Sequence, residues 1–226
     1  MKNLLLLSLS LFYSLHGGFS HANIPACNCP KNAYSPTKVT AEFNLSDGRK
    51  VVLCGNKDTE IIKGETLYSE FVLAVCNESN IIENWGALDL CRVQAVKNSV
   101  RVETLINLPV GQNNSYRETV WTVEQIYFLN DKPVKNLSIN KNIPRYTTKQ
   151  INSTLKEFET APNANTDYTD NLADKLFISA ISGSKKARID LLTFKKKFTT
   201  LDGSIAESYD KDLEMLRLWD KHHATE

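Results

Sequence analysis

Apolar residues in this chain change their spacing at Pro144. Ahead of it, from Lys38 to about Ile139, Val, Ile, Thr, Phe and Tyr alternate with polar residues and are broken at short intervals by turn residues. Behind it, apolar residues recur at every third or fourth position. A period of two places successive side chains on opposite faces of a strand, whereas a period of 3.6 gathers them on one side of a helix. Two kinds of element in separate halves of one chain predict an α+β fold. The expected form is an N-terminal antiparallel β domain, a sandwich or open barrel of about 7 to 8 strands, followed by a C-terminal bundle of 3 to 4 short helices.

Within the first half, Val39, Ala41, Phe43 and Leu45 alternate before Ser46-Asp47-Gly48 turns the chain into Lys50 to Cys54. Glu60 to Lys63 reads as a short strand, and Leu67 to Cys76 as a longer one. A second hairpin joins Leu88–Val96 to Val100–Leu108 across Lys97-Asn98-Ser99; its far face, with Arg101, Glu103 and Asn107, is expected to be wet. Arg117 to Leu129 is apolar on both faces and reads as a central or helix-covered strand, and Val134 to Ile139 closes the set. In the second half, Thr147 and Gln150 form a capping box that opens a helix to about Phe158. Leu172, Leu176, Phe177, Ala180 and Ile181 mark the next helix, which ends at Gly183. Ser184 caps a third, carrying Ala187, Leu191, Phe194 and Phe198, and Ser204 to Glu207 reads as a capping box for the last, with Ile205, Tyr209, Leu213 and Leu216 on its apolar side. Short connections make these helices antiparallel neighbours packed on one another and on the sheet.

The chain begins with Lys2, an apolar run from Leu4 to Leu15 and a small-residue ending at Ser20-His21-Ala22, the layout of a secretory signal peptide over residues 1–22. That run reaches about 18 Å as a helix, short of a bilayer core of about 30 Å. The β domain then covers 23–146 and the helical region 147–226. Ile24-Pro25-Ala26-Cys27 also resembles a lipid-attachment segment, so Cys27 is a candidate for a membrane-anchoring lipid. Otherwise the protein is expected to be secreted or periplasmic.

All five cysteines, Cys27, Cys29, Cys54, Cys76 and Cys91, precede the helical half. In an exported chain disulfides are the default. Five is odd; with Cys27 set aside, Cys29, Cys54, Cys76 and Cys91 allow three pairings. Strictly up-and-down strands would gather Cys54, Cys76 and Cys91 at one end of the sheet, where Cys29 could staple the N-terminal coil. Only one closely spaced cysteine pair exists, against the two that a structural zinc site normally uses, so no metal is expected.

Composition restricts the chemistry further. Of 27 basic residues one is Lys2, so the remaining chain balances its 26 acidic residues and lacks the excess positive charge that nucleic acid binding needs. The basic run in the third helix, from Lys185 to Lys197, is interrupted by acids and reads as a solvated face. Outside the signal segment the histidines are His222 and His223, placed in a frayed tail, which leaves little for a Ser-His-acid triad or a histidine metal site. No phosphate-binding glycine loop is present, and no cofactor is implied. Glu118 and Glu124 share a strand face about 20 Å apart, too far for a glycosidase pair, and are expected in cross-strand ion pairs. Trp85, in an apparent loop between Cys76 and Cys91, is the one candidate ligand platform; the competing reading is that it caps the sheet core. Trp121 and Trp219 lie on periodic elements and are expected in the core. Asn44, Asn77, Asn113, Asn136 and Asn152 each begin an Asn-x-Ser/Thr pattern.

These features predict an exported, non-catalytic binding or structural protein with an envelope or extracellular partner. It would touch a membrane only through a lipid on Cys27. The alternative is a secreted hydrolase built on a carboxylate pair, which requires two acids to converge in a cleft.

Overall fold

The computed structural model describes residues 26–31, 38–58 and 64–223. The signal segment and the Glu60–Lys63 strand lie outside them. The first half is one antiparallel sheet of eight strands, not the two sheets of a sandwich. They are β1 (Ala41–Asn44), β2 (Lys50–Asp58), β3 (Leu67–Val75), β4 (Ile81–Trp85), β5 (Leu90–Val96), β6 (Ser99–Leu108), β7 (Arg117–Leu129) and β8 (Lys132–Ile139). They run in the order β1-β2-β3-β5-β6-β7-β8, with β4 pairing β3 beside that path. Residues 81–85, expected in a loop, are therefore a strand.

The sheet curls, and the tips of three hairpins meet. Ser46 N–H in the β1–β2 turn donates to the Lys97 carbonyl in the β5–β6 turn at 3.0 Å. Arg49 pairs with Asp131 of the β7–β8 turn at 2.5 Å and lies over the Phe128 ring. The curl encloses a core of Val51, Leu53, Phe71, Leu73, Trp85, Cys91, Val100, Val102 and Ile126. Opposite a bulge at Glu70 of β3, Gly55 of β2 lies so close to that strand that a Cβ there would sit 2.2 Å from Phe71 Cβ. Only glycine fits that approach.

On the opposite face of β2 and β3, the N-terminal coil covers Val52, Val72 and Ala74. Two disulfides fasten it, Cys27–Cys76 and Cys29–Cys54. Cys27 is thus a bonded cysteine rather than the leftover one, and its sulfur has no thiol to give to a lipid. Cys91 is the free cysteine. It does not join Cys54 and Cys76, because alternation along β5 turns it into the enclosed core.

Glu103 is buried rather than wet. It accepts from Arg92 Nη1 at 2.6 Å and pairs with Arg101 Nη2 at 2.7 Å, and these two arginines replace the water it gives up. Burial alone would raise its carboxyl; the two arginines outweigh that and hold it below the usual range.

Five helices follow: α1 (Thr148–Thr160), α2 (Asp167–Ile181), α3 (Lys185–Leu192), α4 (Phe194–Lys197) and α5 (Gly203–His223). Thr147 and Gln150 form the reciprocal capping box that opens α1, and Ser184 caps α3. The third apolar stripe is broken at Thr193 into α3 and α4. Helix α5 starts at Gly203, one residue before the expected cap, and continues through both tail histidines; His223 stacks on Trp219.

The helices do not form a separate core. Ile106 and Leu108 of β6, Trp121 of β7 and Ile139 of β8 join Leu172, Leu176, Phe177, Leu216 and Trp219 in one cluster. Trp121 meets Trp219 with ring centroids 6.2 Å apart and Phe177 at 5.6 Å. A second bulge falls at this junction: Thr104 pairs with Thr122 and Leu105 with Val120, which leaves Trp121 as the extra residue of β7. Along β6 the alternation is unbroken, so Val100, Val102, Ile106 and Leu108 share one face, the first two over the enclosed core and the last two under the helices.

The basic residues of α3 and α4 are largely paired: Arg188 with Asp220, Lys186 with Glu159 and Asp190, and Lys195 with Asp210. No helix among the described residues is long and apolar enough to cross a membrane. All five Asn-x-Ser/Thr asparagines are exposed.

Candidate functional site

Where α5 crosses the sheet it leaves a cleft. On one side are Leu90 of β5, Leu105 and Ile106 of β6 and Glu118 of β7; on the other are Asp174 of α2 and Ser208, Lys211, Asp212 and Met215 of α5. Its volume is about 330 Å³. A second cavity of about 290 Å³ shares Ile106, Lys211 and Met215 with it and continues along α5 to Glu124, Trp121 and Trp85. Leu88, the most exposed large apolar residue among those described, contributes to the first cavity while itself 79% exposed, which places it at the rim.

Three carboxyl groups gather at the closed end. Asp170 and Asp174 are four residues apart on α2 and so share a helix face. Asp212 is on the buried side of α5 with Tyr209, Leu216 and Trp219. The preceding residue, Lys211, is exposed at the opening. Tyr116, just ahead of β7, completes the group. It follows the tight turn at Gly111, whose N–H donates to the Ser115 carbonyl at 2.9 Å, and its hydroxyl donates to Asp174 Oδ2 at 2.5 Å.

The Asp174 and Asp212 carboxyls are also hydrogen-bonded to each other. Two carboxylates are both acceptors, so this bond requires one shared proton. Asp212 is the group that holds it. Complete burial, with Asp174 and Asp170 close by, raises its carboxyl far above the usual range. Burial also raises Asp174, to about 6, against the opposing effects of the Tyr116 and Asp212 hydrogen bonds. The same acids and its own burial hold Tyr116 as the neutral phenol. Asp170 Oδ1 and Asp212 Oδ2 have no hydrogen-bond donor among the described residues. No group of three or more His, Cys, Asp or Glu side chains among those residues is arranged to hold a metal ion.

Glu118 and Glu124 line the first and second cavities respectively. The structure does not bring them together, and among the described residues neither forms the cross-strand ion pair expected of solvated strand residues. Both face the cleft, where burial raises their carboxyls. Trp85 is not an exposed platform. It is 7% exposed, stacks on Phe71 at 4.6 Å and serves the core, adding only to the wall of the second cavity. Cys91 is fully buried, and burial pushes its thiol up to about 12.

The acid group was missed in the sequence, although a signal for it exists. Tyr209, Asp212, Leu216 and Trp219 recur at helical spacing, so Asp212 is a charged residue on an otherwise apolar seam.

No family model matches the chain, and no curated protein or solved structure is significantly similar to it.

Proposed function

We propose that this is an exported, non-catalytic binding protein that takes a small ligand into the cleft between the curled sheet and α5. One observation carries the reading: a concave site in which an apolar wall of Leu88, Leu105, Ile106 and Met215 faces a few convergent polar groups, Tyr116, Asp174 and Asp212. Sites of this size and composition suit small molecules. Two disulfides point to an oxidising, extracellular compartment.

The convergence of Asp174 and Asp212 also favours a second reading, a hydrolase working through a carboxylate pair. Direct hydrogen bonding places the two groups closer than the ~5 to 9.5 Å that glycoside hydrolysis uses. A dyad that shares a proton can activate water, but the water must reach both groups. Asp212 is closed off, with Oδ2 free of solvent contact. Binding therefore fits the geometry better than turnover.

The test is a titration of isotopically labelled protein with a mixed fragment library, followed by amide NMR. Shift changes concentrated at Leu88, Ile106, Tyr116 and Met215 are expected. Changes scattered over the surface, or none, refute the cleft reading; hydrolysis of glycoside or peptide substrates that is lost in Asp174→Asn would establish the second.

A further inference from the structure

We propose that the outer face of α3 and α4 docks on an anionic lipid membrane, with Ile189 and Leu192 entering the headgroup layer and Lys185 and Lys196 meeting the lipid phosphates. The inference stands apart from the cleft, which lies between the sheet and α5.

Three observations converge on it. First, an apolar pair is exposed in one place. Lys185, Ile189 and Leu192 are four and then three residues apart and share one face of α3. That helix buries its other side, Ala187 and Leu191, and packs on α2 and α1. Ile189 is 60% and Leu192 54% exposed, so two neighbouring aliphatic side chains stand in solvent. Second, positive charge is left over around them after pairing. From Lys185 to Lys197 there are six basic residues and one acid, Asp190. Lys186, Arg188 and Lys195 are taken up by Glu159, Asp190, Asp220 and Asp210, and Lys197 donates to the Phe158 and Glu159 carbonyls. Lys185 and Lys196 are exposed and have no side-chain partner among the described residues. Third, the first turn of α3 has no acidic residue. Its backbone N–H groups therefore add to the positive field of Lys185 instead of being offset.

A bilayer matches both parts of this face at once. Its phosphates take the lysines, and its headgroup–acyl boundary, into which amphipathic helices sink their apolar side by ~5 to 10 Å, takes the aliphatic side chains. Nucleic acid phosphates would match Lys185 and Lys196 but leave Ile189 and Leu192 in water. Contact through one short helix face is weak and reversible. It needs no spanning helix, and no helix among the described residues is long and apolar enough to be one. Nor does it need a lipid on Cys27, whose sulfur is bonded to Cys76.

The experiment sediments the oxidised protein with vesicles of phosphatidylcholine alone and of equal parts phosphatidylcholine and phosphatidylglycerol. Binding to the anionic vesicles is expected, with little to the neutral ones and a steep loss in about 1 M salt, where the Debye length is ~3 Å. Lys185→Gln and Lys196→Gln should each weaken it about fivefold, and Ile189→Ser combined with Leu192→Ser about tenfold or more. Lys132→Gln, which removes an exposed charge at the start of β8, should leave it nearly unchanged. Equal binding to the two kinds of vesicle, an equal loss in Lys132→Gln, or full binding by the serine variant overturns the inference. So does the absence of vesicle binding, including the case in which DNA or an acidic polypeptide is bound instead. If circular dichroism shows that the serine variant does not fold, the lysine variants and the comparison of vesicle types decide the matter.

Discussion

Replacing Asp174 by Asn should stabilise the protein at neutral pH and do little in acid. In the unfolded chain the carboxyl ionises near its ordinary value of 3.8; in the folded chain it does so at about 6. Below the lower value both states carry the proton, and the buried acid costs nothing beyond its packing. As pH rises between the two values the unfolded chain gives up its proton first, so folding stability falls. Above about 6 the loss is complete. At about 1.4 kcal/mol for each tenfold change in proton affinity, this amounts to about 3 kcal/mol. Asparagine keeps an acceptor for the Tyr116 hydroxyl and has nothing to ionise. It also takes away one of the charges that raise Asp212. Urea unfolding of both proteins at pH 4 and pH 7.5, followed by tryptophan fluorescence, measures the effect. The advantage of the variant should grow by about 2 to 3 kcal/mol between the two pH values. An advantage that stays constant within about 0.5 kcal/mol would refute the account of a buried, proton-sharing pair.

Glu103 should behave in the opposite sense, because its arginines hold it below the usual range. The stability it contributes is present above its unfolded value and is lost as pH falls through its lowered folded value, so Glu103→Gln should cost most at neutral pH and its cost should shrink steadily in acid in the same unfolding series. Removing the Cys29–Cys54 bond by a double serine substitution should cost about 3 kcal/mol, and removing Cys27–Cys76 about 4, on a chain-entropy basis; non-reducing peptide mapping should recover those two pairs, with Cys91 alkylated only after unfolding. Gly55→Ala should lower the melting temperature sharply or abolish folding, since the new methyl has no space against Phe71. Ser179→Ala should be neutral or stabilise by up to about 1 kcal/mol in thermal unfolding, because its buried hydroxyl has no partner among the described residues.

Much of the local structure was legible. The hairpin turning at Ser46-Asp47-Gly48, the α1 capping box and the Ser184 cap are set by residues within a few positions of one another. Strand β4 was not. Its five residues alternate too briefly to stand out, and a bulge against β3 interrupts their pairing. Glu103 was misread for a related reason: a strand pattern shows which face is polar but not that Arg92 and Arg101 will close over that face. Trp85 was weighed as either platform or core, and only its stacking on Phe71 decides for the core.

By itself, the sequence determined which segments become strands and which become helices, because hydrophobic period and capping are local properties. It also made disulfides the expectation, through the cysteine count and the signal-like layout of the first residues. Tertiary structure alone decided which cysteines pair, since pairing depends on which face of β2 and β3 the coil covers. It alone made the candidate site. Asp170 and Asp174 come from α2, Asp212 from α5 and Tyr116 from the residue ahead of β7, and no spacing along the chain relates these three segments. What joins them is the packing of α2 and α5 over the end of the sheet where Ile106 and Leu108 of β6 and Trp121 of β7 lie in one cluster with Leu172, Leu176, Phe177, Leu216 and Trp219.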